Sequence, residues 1–85
     1  MENKILIIDD EPDLLKIVVF RLKKAGYRVL TAVDGQQALD IIRSDKPNLI
    51  LLDVLLPVKD GVTICKIIKD DDTTRQITVI LFTAT

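Results

Sequence analysis

The sequence predicts an α/β domain, a parallel sheet with helices on both faces. Three observations predict it. Short runs of Ile, Leu and Val alternate with longer segments whose apolar residues recur at helical spacing. The runs are continuous rather than alternating in and out, which suits strands covered on both sides. Three of the four runs end on polar residues, at Asp9-Asp10, Asp53 and Thr83, so parallel strands gather polar chemistry at one rim.

Taken in order, Lys4 to Ile8 (KILII) is the first strand. Glu11-Pro12-Asp13 opens a helix, with proline early and carboxylates near the positive end of the dipole. That helix runs to about Ala25, and Gly26 stops it. Leu14, Leu15, Val18, Val19 and Leu22 form its core stripe; Ile17 and Phe20 widen the apolar face, toward the core or toward a partner. Arg28 to Ala32 is a less apolar strand, expected at an edge. Asp34-Gly35 starts a second helix over Gln36 to Ser44, with Ala38, Leu39, Ile41 and Ile42 inward, and Pro47 breaks the chain. Leu49 to Leu52 is the third strand, ending on Asp53; a loop then leads to Gly61. A third helix spans Val62 to Lys69, Asp70 to Asp72 begin a polar turn, and Ile77 to Phe82 is the fourth strand. Cys65 reads as a small core residue.

Composition narrows the chemistry. Twelve basic and thirteen acidic residues leave a net charge of −1, which gives no case for nucleic acid or anionic membrane as the main ligand. A single cysteine forbids an internal disulfide, and the absence of histidine argues against a zinc site or a Ser-His triad. No apolar run is long enough for a signal peptide or a membrane span, so the expected location is cytoplasmic.

Asp9, Asp10 and Asp53 are therefore expected to converge. Carboxylates about 4 Å apart repel by about 4 kcal/mol per pair at an effective dielectric near 20. A hard divalent cation relieves that repulsion, and Mg2+ takes one or two carboxylates while bridging to phosphate. A carboxylate can also accept a phosphoryl group as a nucleophile. The reading is a magnesium-dependent, phosphate-accepting aspartate.

IIDDEP at 7–12, LLDVLLPVKDG at 51–61 and LFTAT at 81–85 together resemble the receiver domains of bacterial two-component response regulators. The resemblance covers residues 1–85 as one receiver domain and implies a flavodoxin-like, doubly wound sheet of strand order 2-1-3-4. It implies that Asp53 is the phospho-acceptor and Thr83 the switch hydroxyl, with Ala84 its small neighbour. Asp10, Asp9 (largely through water), Asp53 and the backbone carbonyl of Leu55 would hold Mg2+; Pro57 and Gly61 would shape the loop. A signalling domain rather than an enzyme is implied, with a sensor histidine kinase as donor and an output domain or protein downstream. The family's fifth strand, its lysine and the last two helices would lie beyond Thr85. The fourth strand is then expected to be an exposed apolar edge, open to a homo-oligomer or a strand-swapped dimer.

Competing readings fit less well. A haloacid dehalogenase-type phosphatase wants Asp-x-Asp after the first strand, where this chain has Asp-Asp-Glu-Pro. A flavin module wants a glycine- and hydroxyl-rich phosphate loop there, and no P-loop motif is present. Asp70 to Asp72 reads as a solvated turn rather than a second metal site, because three adjacent residues cannot all face one ion.

Overall fold

The computed structural model describes residues 3–9, 12–53 and 61–82, and describes residues 12–15, 53, 61, 62 and 82 through their backbone. The elements run β1 (Lys4–Ile8), α1 (Pro12–Lys24), β2 (Arg28–Ala32), α2 (Gly35–Asp45), β3 (Leu49–Asp53), α3 (Gly61–Asp70) and β4 (Thr78–Phe82). The four strands form one parallel sheet in the order β2-β1-β3-β4. Both the fold class and the strand order match the expectation from the sequence, and β2 does lie at an edge.

Alternate residues of each central strand enter different cores, because successive side chains point to opposite faces. Leu6, Ile8, Ile50 and Leu52 join Ala32, Ala38, Ile42, Ile64, Ile68 and Ile77 in one buried cluster, on the side of α2 and α3. Ile5 and Ile7 face the other way, where Val18, Val19 and Leu22 of α1 pack with Val29, Leu49 and Leu51. Leu14 and Leu15, expected in the same stripe, have side chains outside the described residues. Ile17 and Phe20 do not fill the core: they are 58% and 64% exposed. Cys65 packs, partly buried, against the larger cluster, as expected of a small hydrophobe.

The helix ends differ from the sequence reading by a residue or so, each for a visible reason. Gly26, at φ 99°, ends α1: its N–H donates to the Lys23 carbonyl (3.0 Å) and the Tyr27 N–H reaches the Leu22 carbonyl (3.1 Å). Those two bonds satisfy carbonyls that the last turn leaves open. Asp34 caps α2 by accepting the Gln37 N–H at 2.8 Å, so the helix begins at Gly35. It extends to Asp45, and Lys46 closes it in the left-handed region at φ 49°. β4 starts at Thr78 rather than Ile77, because the Ile77 N–H donates to the Thr74 carbonyl (3.0 Å) and completes the preceding turn.

Asn48 sets the register of the central pair. Its N–H donates to the Lys4 carbonyl (2.9 Å), and its side-chain oxygen accepts the Lys4 N–H (2.8 Å). Ile5 then falls beside Leu49 and Ile8 beside Leu52.

Candidate functional site

Strand direction and register place the site. β1 turns toward β2 on one side while β3 continues to β4 on the other, so the winding reverses between β1 and β3. Ligands of such sheets sit beyond the carboxyl ends of the strands at that reversal. One residue past the paired Ile8 and Leu52 stand Asp9 and Asp53. The two aspartates thus occupy neighbouring positions on adjacent central strands. Asp53 is also in register with Phe82, the last residue of β4.

Asp9 is 1% exposed, one of two buried polar or charged residues among those described. Its N–H donates to the Ala32 carbonyl at 3.0 Å, which carries the sheet ladder one residue beyond β1 and fixes the aspartate against β2. A carboxylate held out of water needs compensation from hydrogen bonds or a cation. No buried side-chain polar atom among the described residues lacks a hydrogen-bond partner. Of the other expected site residues, Asp10, Leu55, Pro57, Thr83 and Ala84 lie outside the described residues. The Asp53 backbone is described, and Gly61 is the first residue of α3. Val33, 49% exposed, follows β2 on the same rim, and its N–H donates to the Gln37 side chain (2.9 Å).

The second acidic group has a structural role. Asp71 accepts both the N–H (2.9 Å) and the hydroxyl (2.8 Å) of Thr73, and Asp72 pairs with Arg75. The Thr73 N–H, then its hydroxyl, hold the Asp71 carboxyl below its ordinary value. This is a capped polar turn, as the sequence suggested.

Two features were missed from the sequence. Thr74 is 4% exposed and its hydroxyl donates to the Ile68 carbonyl at 2.6 Å. The Lys69 ammonium donates to the carbonyls of Arg75 (3.0 Å) and Ile77 (2.6 Å). An isolated threonine and a helix-end lysine in a polar stretch give no sequence signal for either.

The exposed face of α1 is the most distinctive surface. Ile17 and Phe20 stand among Lys16, Arg21 and Lys24, and the Lys24 ammonium lies 5.5 Å from the Phe20 ring centre. Residues 14–33 carry five cations, Lys16, Arg21, Lys23, Lys24 and Arg28, and no carboxylate. In a chain of net charge −1 this is a strongly one-sided distribution.

Comparison with known proteins agrees with this geometry. The profile of the response regulator receiver domain matches residues 5–85. The response regulator PleD of Caulobacter vibrioides is 44% identical over 84 residues, covering 99% of this chain and 18% of that protein. The alkaline phosphatase synthesis transcriptional regulatory protein PhoP of Bacillus subtilis is 46% identical over 66 residues, 78% of this chain and 28% of that one. The chain therefore spans less than a third of the length of these relatives. Among solved structures, the N-terminal domain of a response regulator receiver protein from Methanoculleus marisnigri superposes with a TM-score of 0.91 at 36% identity, covering 96% of this chain and 67% of that one. The receiver domain of a signal transduction histidine kinase from Syntrophus aciditrophicus gives 0.90 at 32% identity, covering 98% and 63%. A buried aspartate at the end of β1, a second on the adjoining strand and a profile match across nearly the whole chain converge: this chain belongs to the response regulator receiver domain family of two-component signalling.

Proposed function

We propose that Asp53 is the phospho-acceptor of this receiver domain. The supporting observation is the register that carries Asp9, which is buried, and the Asp53 backbone onto adjacent strand ends at the winding reversal. In the transfer, a carboxylate oxygen of Asp53 bonds to phosphorus as the bond from phosphorus to the donor nitrogen breaks. The released imidazole takes up a proton, and the product is an acyl phosphate on the chain. A sensor histidine kinase is the donor this chemistry calls for.

Mg2+ fits the donor set, which is all hard oxygen: Asp9, Asp10, Asp53 and the backbone carbonyl of Leu55 would hold it. When bound, the ion neutralises charge on the transferring phosphoryl group. Asp9 itself is buried, so its carboxylate is shielded from bulk water. Thr83, the residue after the Phe82 that pairs with Asp53, would serve as the switch hydroxyl of the family pattern. The added charge then biases a two-state arrangement read by an output domain or protein.

The partners follow from the surfaces. The basic-rimmed Ile17 and Phe20 on α1 offer an apolar contact to an acidic partner. β4 is an outer strand of the described sheet, with Ile80 47% and Leu81 44% exposed, and it supports pairing with a further strand or a second copy. No helix among the described residues is long and apolar enough to cross a membrane; a cytoplasmic location belongs to the same proposal.

The test is incubation with Mg2+ and a small acyl phosphate, read by intact mass. Three proteins are compared: this chain, its Asp53→Asn variant, and a version extended through a fifth strand. One added phosphoryl group on the Asp53 forms and none on Asp53→Asn is the expected result. Equal labelling of Asp53→Asn defeats the assignment.

A further inference from the structure

β2 is an outer strand of the sheet, and the flavodoxin-like order 2-1-3-4-5 keeps it outermost in the complete family fold. Its inner side is occupied. The Arg28 N–H donates to the Asn3 carbonyl (3.0 Å) and the Ala32 carbonyl accepts the Asp9 N–H (3.0 Å), so residues 28, 30 and 32 turn their backbone groups toward β1. Residues 29 and 31 turn theirs the other way, because the groups alternate along a strand. The next outward donors on either side are already engaged. The Tyr27 N–H donates to the Leu22 carbonyl (3.1 Å), and the Val33 N–H to the Gln37 side chain (2.9 Å). Among the described residues this leaves a short open edge at Val29 and Thr31, with donors and acceptors for one more strand.

The side chains of those two residues lie on the α1 side of the sheet. There Lys16, Val19, Phe20, Lys23 and Thr31 line an open groove of about 390 Å3 between α1 and β2. Val19 and the exposed Phe20 make it apolar, and the two lysines stand at its lip. Phe20 divides it from the surface of Ile17, Arg21 and Lys24. Charge decides the occupant. Residues 14–33 supply five cations and no carboxylate. A second copy docking edge to edge would bring two such sets onto one face, where they repel; an acidic segment is attracted.

We infer that the β2 edge takes an extended acidic segment of a partner protein, added as a further strand. Its backbone bonds to Val29 and Thr31, and an apolar side chain enters the groove beside Phe20. Carboxylates two residues to either side, on the same face of the added strand, meet Lys16 and Lys23. This docking is independent of the acceptor reading of Asp53.

The experiment titrates the isotope-labelled chain with a capped peptide, Glu-Thr-Leu-Thr-Glu, and follows the backbone amides by NMR. Three further peptides are compared: one with Lys in place of Glu, and two N-methylated at one or the other alternate set of amides. The Val29 and Thr31 amides should shift most, and affinity should fall several-fold as salt is raised. Lys16→Glu with Lys23→Glu, both at exposed positions, should keep the parent's melting temperature and weaken binding by roughly tenfold. One of the two N-methylated peptides should lose roughly tenfold, the weight of a hydrogen bond to the edge, and the other should bind as before. No binding, or shifts confined to the amides around Ile17 and Arg21, overturns the inference. So does equal binding of the Lys peptide or of both N-methylated peptides. Sedimentation showing that the chain dimerises and loses the dimer on Thr31→Lys would assign the edge to a second copy instead.

Discussion

Among the described residues, the two faces of the sheet are packed to different depths. On the side of α2 and α3, ten described residues are buried, with Leu6, Ile8, Ile50, Leu52 and Ile64 at 0% exposure. On the side of α1 the described cluster has only Ile5 and Ile7 fully inside, with its partners half covered and Ile17 and Phe20 turned outward. The closed face holds the fold, because dense packing makes each removed methyl group costly. The α1 face, among its described residues, presents Ile17 and Phe20 within a basic rim.

Substitutions in the core should expose this difference most strongly. Ile64→Ala, on the closed face, is expected to cost about 3 kcal/mol, whereas Val19→Ala on the α1 face should cost only about 1 kcal/mol. Urea unfolding of the two variants checks it, and equal losses would erase the distinction between faces. Further out, Ile17→Ser with Phe20→Ser should shift stability by no more than about 0.5 kcal/mol. The same pair should slow phosphoryl transfer from a histidine kinase while leaving labelling by a small acyl phosphate unchanged. Loss of both reactions would place those residues in the fold rather than at a partner.

A smaller effect belongs to the turn that closes the α3 side. The Asp71 carboxyl lies below its ordinary value in the folded chain because it accepts from Thr73. A lowered folded value means the carboxylate favours folding above the unfolded chain's value, and that contribution is lost as pH falls through the lowered one. The stability difference between the parent and Asp71→Asn should therefore be full near neutrality and vanish in acid. Thermal melts across the acid range read it directly; a difference that grows on acidification has the wrong sign.

Much of this was legible from the residues alone, and the reasons are specific. ILII of the first run and LILL of the third are continuously apolar, so their double coverage shows without structure. Gly26 and Asp34 mark helix ends because few residue types suit those positions. Lys46 in the left-handed region gave no such warning, since a lysine there has no local preference to announce it. Ile77 looked like strand by its apolar character, but its N–H was already engaged by Thr74. At the site, the aspartates were visible as abrupt ends to apolar runs. That Asp9 is buried depends on what packs around the rim, and one-dimensional pattern carries no such information. Whether Ile17 and Phe20 face inward or outward was likewise open until α1 was seated on the sheet.

The account turns on which carboxylate takes the phosphoryl group. Loading the chain with Mg2+ and an acyl phosphate, reducing the acyl phosphate with borohydride and sequencing the peptides by tandem mass spectrometry locates that residue chemically. Modification confined to residue 53 is the predicted result. Modification at residue 9 or 10, with residue 53 unaltered, would contradict it.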